Sequence, residues 1–536
     1  MRAADVLAQR LAEAGCRFAF GMPGGEVLTL LDAFERAGIR FVLSMHENSA
    51  GFMAEAAWHR TGAPAILLAT VGPGVVNAVN VAANAEQDRV PLIVISGCVD
   101  PAERLTYNHQ VLDHQQVFRP VCKESFLMTA EGAGAMADRA VNLALEARPG
   151  PVHIDVPISV AASEAAEPYP FRRAALAPVV PAPGPDWERA RSWLAEAERP
   201  LVIAGYDAVL QGAGKALQAF CEARQIPFLT TYKAKGVVPE DHPLALGAIA
   251  LSPVADRIAK PLVQAADLIL LAGYDPIEMR VGWRDPWDPA ETRVIEIVAR
   301  PNDHYMHHVG LSFVADVGAT LEALGRDQAP REVWSGGEPA VVRAALRGGF
   351  GRDDDWGPAA IVDEVRKALP RDALASVDSG AHRIVLSQVY DCYEPDGLLQ
   401  SMGLCTMGCA LPLAAGSKLV DPERPSVAFV GDAGLMMVLG ELSTLVDHGL
   451  PVIVVVFADR SLSLIELKQR RMQLANAGVD FSGGTDYVKL AEAIGGRGHL
   501  VGDRAGLRAA VEAGLAAERF TLIACSLDRK AYDDSI

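Results

Sequence analysis

Two aspartates stand out for what their side chains could do: Asp432 in Gly431-Asp432-Ala433-Gly434, and Asp459 in Ala458-Asp459-Arg460-Ser461. The apolar run Ser426 to Val430 ahead of the first reads as a buried parallel strand. Val452 to Phe457 ahead of the second reads as another, with a helical pattern through Glu441 to His448 between them. Each carboxylate therefore stands at the carboxyl end of a strand, where open α/β sheets bind ligands against a helix N-terminus. Two hard oxygen ligands beside helix-end N–H groups suit Mg²⁺ holding a diphosphate. Taken singly, either aspartate also reads as a plain helix cap.

The elements that must position these groups follow one pattern along the whole chain. Short apolar strands alternate with helices at Phe18-Ala19-Phe20, Phe41 to Leu43, Ala65 to Ala69 and Leu92 to Ile95. They recur at Leu201 to Ala204, Leu268 to Leu271, Val294 to Ile297 and Thr521 to Ala524. That is the signature of α/β units with parallel sheets. A Pro-rich stretch from Glu167 to Trp187 and a polar, Gly/Pro-bearing stretch from Gly325 to Gly357 read as linkers. With 536 residues, three doubly wound domains and ample core are expected.

Composition excludes several classes of partner. Half the residues are hydrophobic, as in a globular enzyme, and the net charge is −18, with 49 basic and 67 acidic residues. That balance argues against nucleic acid and anionic membranes. Apolar runs such as Pro451 to Ala458 are too short to span a bilayer. Met1-Arg2-Ala3-Ala4-Asp5 opens into an amphipathic helix without a signal-peptide core. Eight cysteines without CxxC spacing or a zinc pattern point to reduced thiols and a cytoplasmic location.

The order Gly-Asp-x-Gly, helix, strand, second oxygen ligand resembles the metal–diphosphate motif of thiamine-diphosphate enzymes. Most of that family carry an Asn-Asn pair where this chain has Ala458-Asp459. The Asp resembles the catabolic, FAD-independent acetolactate synthases, and the resemblance runs from about residue 5 to 528. It implies a pyrimidine-binding domain at 1–165, a central domain at 187–326 and a diphosphate-binding domain at 357–536, with linkers at 166–186 and 327–356.

The same resemblance implies roles for individual residues. Asp432, Asp459 and the Ser461 carbonyl would hold Mg²⁺, while Gly431, Ala433 and Gly434 line the diphosphate. Glu47, in Met45-His46-Glu47-Asn48, matches the cofactor-activating glutamate; by itself it reads as a first-turn helix acid. Neighbouring Met45, Phe52 and Met53 would desolvate it. Val71-Gly72-Pro73-Gly74, with Asn77 beyond, matches the loop near the pyrimidine. Ala381 and His382 match a loop that cradles the diphosphate, although a His there is otherwise a routine surface residue. Met407, in Gly403-Leu404-Cys405-Thr406-Met407-Gly408, would prop the cofactor into its bent shape, and the Cys405 carbonyl would accept from the aminopyrimidine. A Met at a helix start is otherwise ordinary core.

Asn108-His109-Gln110-Val111-Leu112-Asp113, then Phe118-Arg119-Pro120-Val121-Cys122-Lys123, matches the catabolic pattern; otherwise it is a polar surface loop. The Gln110 amide would donate to a developing oxyanion, and His109 would donate or shuttle a proton. Glu26 stands where the catabolic enzymes have a Lys, and Lys468 where they have a Gln. Together they select the substrate or form a structural ion pair. In the middle domain Gly273-Tyr274-Asp275-Pro276-Ile277-Glu278 also resembles the catabolic enzymes, so FAD is not expected.

The implied activity is decarboxylation of a 2-oxo acid such as pyruvate, using thiamine diphosphate and Mg²⁺, with ligation of the remaining fragment to a second carbonyl. Alternatives are a simple 2-oxo-acid decarboxylase, another carboligase of the same fold, or a non-catalytic, cofactor-binding regulatory partner. A homodimer is the least assembly able to work, and relatives are often tetramers.

Overall fold

The computed structural model describes residues 1–165, 177–276, 281–302 and 304–536. Much of the Pro-rich stretch 166–186 lies outside these residues, as do Ile277 and Glu278.

Three parallel sheets of six strands account for the chain's architecture. The first holds β1 Phe18–Met22, β2 Arg40–Leu43, β3 Ala65–Ala69, β4 Leu92–Cys98, β5 Ser125–Leu127 and β6 Val152–Pro157. Its order is β2-β1-β3-β4-β6-β5. The second holds β7 Pro200–Ala204, β8 Phe228–Thr230, β9 Ala245–Ala248, β10 Leu268–Ala272, β11 Arg293–Val298 and β12 Leu311–Val314. Its order is β12-β11-β10-β7-β8-β9. The third holds β13 Leu374–Val377, β14 Leu398–Gln400, β15 Ser426–Gly431, β16 Val452–Ala458, β17 Arg497–Val501 and β18 Thr521–Ser526, in the order β14-β13-β15-β16-β18-β17.

Central strands such as β3 and β4 are buried along their whole length, because helices cover both sheet faces and leave no polar side. Every strand expected from an apolar run is present. Among those without a signal, β5, β8 and β14 are short, β17 lies at an edge with polar, half-exposed residues, and the interior β6 carries His153 and Asp155 among its apolar residues. The first and third sheets share one topology, so each has its switch in strand order between two equivalent strands: β1 and β3, or β13 and β15. Crevices at such switch points bind ligands. The turns after these four strands carry Glu26, Gly72, Ala381 and Asp432.

Two topologically equivalent helices, Glu47–Thr61 after β2 and Ala410–Val420 after β14, pack against each other and join the two units. Phe52, Met53, Leu411 and Ala414 share one apolar cluster there. Polar ties frame this contact. The Glu441 carboxylate accepts from Met45 N–H at 3.2 and 3.3 Å, and Asp88 accepts from the backbone N–H of Met402 and Gly403. The middle unit is fastened by Arg89, whose guanidinium bonds both Asp207 and Asp275. Within 327–356, a helix Glu338–Gly348 packs on the helix Pro253–Ala265. Among the described residues no helix is long and apolar enough to cross a membrane.

Candidate functional site

A cleft opens at the carboxyl end of the third sheet. Ala381, His382, Cys405, Met407, Gly431, Asp432, Ala433, Gly434, Asp459 and Ser461 all line it, together with Phe457, Ile465 and Tyr532. Their convergence follows from strand order. β13, β15 and β16 are neighbours, so the three turns that leave them meet at one edge.

The two aspartates are held by backbone donors rather than by cations. Asp432 Oδ1 accepts from Ala433 N–H (2.8 Å) and Oδ2 from Arg460 N–H (2.7 Å). Asp459 Oδ1 accepts from Ser461 N–H (3.0 Å). Burial raises the Asp432 carboxyl above its ordinary range. It pushes Asp459 up to about 7, with the Asp432 charge adding to the effect. Two carboxylates that resist ionisation together are a site prepared for a cation. Among the described residues no cluster of three or more His, Cys, Asp or Glu side chains could hold a metal ion. Further ligands would have to be backbone oxygen, water or phosphate, the set that Mg²⁺ favours.

The remaining lining fits a diphosphate. Ser461 Oγ and His382 Nε2 are buried and lack a hydrogen-bond partner, a costly state that an anionic oxygen would relieve. Burial drives the His382 imidazole down to about 3, so it is neutral. Its ring stacks on Phe457 at 5.0 Å between centroids. Gly434 is required by a close approach: a Cβ there would overlap Asp378 Oδ2. Asp378 in turn accepts from Ala410 N–H at 2.7 Å and fixes the start of the following helix, and burial raises it to about 6.

A second group gathers at the switch point of the first sheet. Glu47 is 4 % exposed at the first turn of its helix, and its Oε2 accepts from Asn77 Nδ2 at 3.0 Å. Gly72 and Pro73 form the turn that starts the Asn77 helix, and Gln110 lies on Gly72. Gln110 and His109 are exposed, and the His109 ring meets Tyr107 edge-on at 6.3 Å. Glu26 Oε2 accepts from Thr70 Oγ1 at 2.7 Å. Among the described residues neither Glu26 nor Lys468 is in an ion pair, so no bridge joins them within the chain. Lys468 is exposed one turn beyond Ile465, on the helix Ser463–Arg471. The two groups stay apart in a single chain: the cleft lining runs from Ser379 to Tyr532 and contains no residue of the first sheet.

Residues without a sequence signal complete the picture. Tyr532, near the C-terminus, is 1 % exposed and covers the Asp459 side of the cleft. Thr70, Phe457 and Glu441 are common residue types in apolar or helical runs, and only the fold brings them to the site. Asp378 precedes Ala381 and His382 in one short turn, and that adjacency could have flagged it.

Three family models match this chain. A thiamine pyrophosphate enzyme N-terminal TPP binding domain covers residues 1–117, a thiamine pyrophosphate enzyme central domain covers 187–324, and a C-terminal TPP binding domain covers 378–525. The chain belongs to the thiamine pyrophosphate enzyme family. Its relatives include an acetolactate synthase of Bacillus subtilis, 29 % identical over all of this chain and 94 % of that protein. A probable 2-ketoarginine decarboxylase of Pseudomonas aeruginosa is 31 % identical over 92 % and 88 %. An acetolactate synthase isozyme 1 large subunit of Escherichia coli is 30 % identical over 87 % and 83 %.

Proposed function

We propose that this enzyme decarboxylates a 2-oxo acid such as pyruvate and ligates the remaining fragment to a second carbonyl compound, with thiamine diphosphate and Mg²⁺. The observation that carries the reading is the convergence of Asp432, Asp459, Ser461 and His382 on one cleft. When bound, thiamine diphosphate supplies the carbanion chemistry. Asp432, Asp459 and the Ser461 carbonyl would hold Mg²⁺, and Gly431, Ala433, Gly434, Ala381 and His382 would hold the diphosphate. Met407 and the Cys405 carbonyl would orient the rings.

Glu47, fixed by Asn77, holds the proton that the cofactor's pyrimidine needs, beside the Gly72-Pro73 turn. Gln110 donates to the substrate oxygen as negative charge develops there, and His109 supplies or removes a proton. Since Glu47 is absent from the cleft of its own chain, a homodimer is the least working assembly, with a tetramer the next. The domain limits are 1–165, 187–326 and 357–536, with connecting segments at 166–186 and 327–356. Arg89 reaches into the middle unit and bonds Asp207 and Asp275 at the strand ends, which supports a reading without FAD. All eight cysteines are free, which supports a cytoplasmic location.

Glu26 favours a second reading. A half-buried carboxylate with no cation partner among the described residues suits a substrate that brings its own positive charge, and one relative is named a probable 2-ketoarginine decarboxylase. That reading is simple decarboxylation of a cationic 2-oxo acid.

The test is turnover of pyruvate with added thiamine diphosphate and Mg²⁺, following CO₂ and acetolactate together. Acetolactate formed at the same rate as CO₂, with two pyruvates consumed for each, establishes the ligation. CO₂ with free aldehyde, or turnover of a guanidinium-bearing 2-oxo acid and not of pyruvate, establishes the second reading.

A further inference from the structure

Beneath the Gly72 turn runs a file of buried polar side chains that the proposed chemistry does not use. Ser125 Oγ lies 2.7 Å from His153 Nδ1, and His153 Nε2 lies 2.8 Å from Ser96 Oγ. Ser96 Oγ donates to Asp155 Oδ1 at 2.7 Å, and the same oxygen lies 2.9 Å from His114 Nδ1. The file ends where His114 Nε2 accepts from the backbone N–H of Gly72 at 3.4 Å. His153 and Ser96 are wholly buried, and His114 is 2 % exposed.

One arrangement of protons satisfies this file. Burial opposes ionisation of Asp155, yet the hydrogen bond from His114, with the nearby His153 and Ser96, holds it below its ordinary value. An ionised carboxylate only accepts, so His114 carries its proton on Nδ1 and leaves Nε2 as an acceptor. Ser96 has one proton and gives it to Asp155; it therefore accepts from His153 Nε2–H, and His153 Nδ1 accepts from Ser125. His153 is neutral, pushed by burial down to about 4, and its ring stacks on Phe118 at 4.2 Å. A fully satisfied buried network of this kind is rigid.

The turn it meets needs support. Gly72 has φ 69° and ψ −107°, a backbone conformation open to glycine, and Gln110 has φ 57°. A Cβ at Gly72 would lie 3.1 Å from Gln110 Cβ, so the two residues back directly onto each other. Conformations of this sort persist only where the surroundings over-determine them.

We propose that His114 is a positioning residue: it pins the Gly72 turn from below, and through it sets the place of the Gln110 carboxamide. The inference rests on the roles given above to Gly72 and Gln110, but its test reads the turn itself. Amide hydrogen exchange is measured on the cofactor-free chain for peptides covering 71–77 and 108–111. His114→Asn keeps a donor toward Asp155 and removes the acceptor facing Gly72; His114→Gln restores an oxygen near the Nε2 position. The expected result is exchange about tenfold faster in these two peptides alone for His114→Asn, and within about twofold of the parent for His114→Gln. Asp155→Asn, which removes the charge that fixes the His114 tautomer, should loosen the same peptides if His114→Asn folds poorly. Parent exchange rates in both His114→Asn and Asp155→Asn overturn the proposal. Turnover of Gln110→Ala tests the role of Gln110 separately, so either idea can fail alone.

Discussion

The backbone N–H of Arg460 donates to Asp432 Oδ2 at 2.7 Å, tying the turn after β16 to the turn after β15. Arg460 adopts φ 58° to make this bond, and Asp459 beside it is thereby brought to the same edge as Asp432. The candidate metal site is thus built from two turns that only sheet pairing makes adjacent. Its carboxylates are oriented by main-chain donors before any cation arrives.

That arrangement fixes a pH dependence. Asp459 titrates near 7 in the metal-free fold, so between the ordinary carboxylate range and about 7 the folded chain binds more protons than the unfolded one. Stability must therefore fall as pH rises through that interval. Thermal unfolding of the metal-free protein should show a higher midpoint at about pH 5 than at about pH 8 from this group, and Asp459→Asn should flatten the difference. Mg²⁺ requires the ionised carboxylate, so its affinity should climb roughly tenfold per pH unit below 7 and level off above. Asp459→Ala should weaken Mg²⁺-dependent cofactor binding, as followed by isothermal titration. Unchanged affinity would remove Asp459 from the metal site.

Glu47→Gln keeps an oxygen able to accept from Asn77 but loses the acid. Turnover should drop by roughly 10² or more, while binding of thiamine diphosphate remains close to that of the parent. The check is steady-state rate alongside a fluorescence titration with the cofactor. Full activity in the variant would refute the role assigned to Glu47.

Gly434→Ala places a methyl group against the Asp378 carboxylate, which is itself fixed to the Ala410 amide. Neither side can move freely. A loss of about 1–3 kcal/mol in urea unfolding is expected, together with weaker cofactor binding. A variant as stable as the parent would show that the turn has slack.

Arg89→Ala takes away the guanidinium that bonds Asp207 and Asp275, both largely buried. Removing one partner from such a set costs about 3–5 kcal/mol. The loss should surface in chemical denaturation, and the middle unit should separate from the first before the sheets themselves unfold. Coincident unfolding of all three units would contradict this.

Much of the protein was written in local pattern. Apolar runs with helical segments between them are enough to specify parallel α/β units, because a strand covered on both faces must be apolar throughout. Gly431-Asp432-Ala433-Gly434, Glu47 and the Gly72-Pro73 turn are visible because the chemistry proposed for them needs particular residue types at strand ends. These are short-range requirements, and a linear reading can see them.

What the tertiary structure alone decided is which strand ends become neighbours. The order β13-β15-β16 sets His382, Asp432 and Asp459 around one cleft, and the packing of the Glu47–Thr61 helix on Ala410–Val420 joins the first unit to the third. It also left Glu26 and Lys468 without an ion pair among the described residues, and built the Ser125–His153–Ser96–Asp155–His114 file from β4, β5, β6 and a short helix. No spacing in the sequence announces these contacts. They arise from strand order and close packing, which depend on the whole chain and not on any one stretch of it.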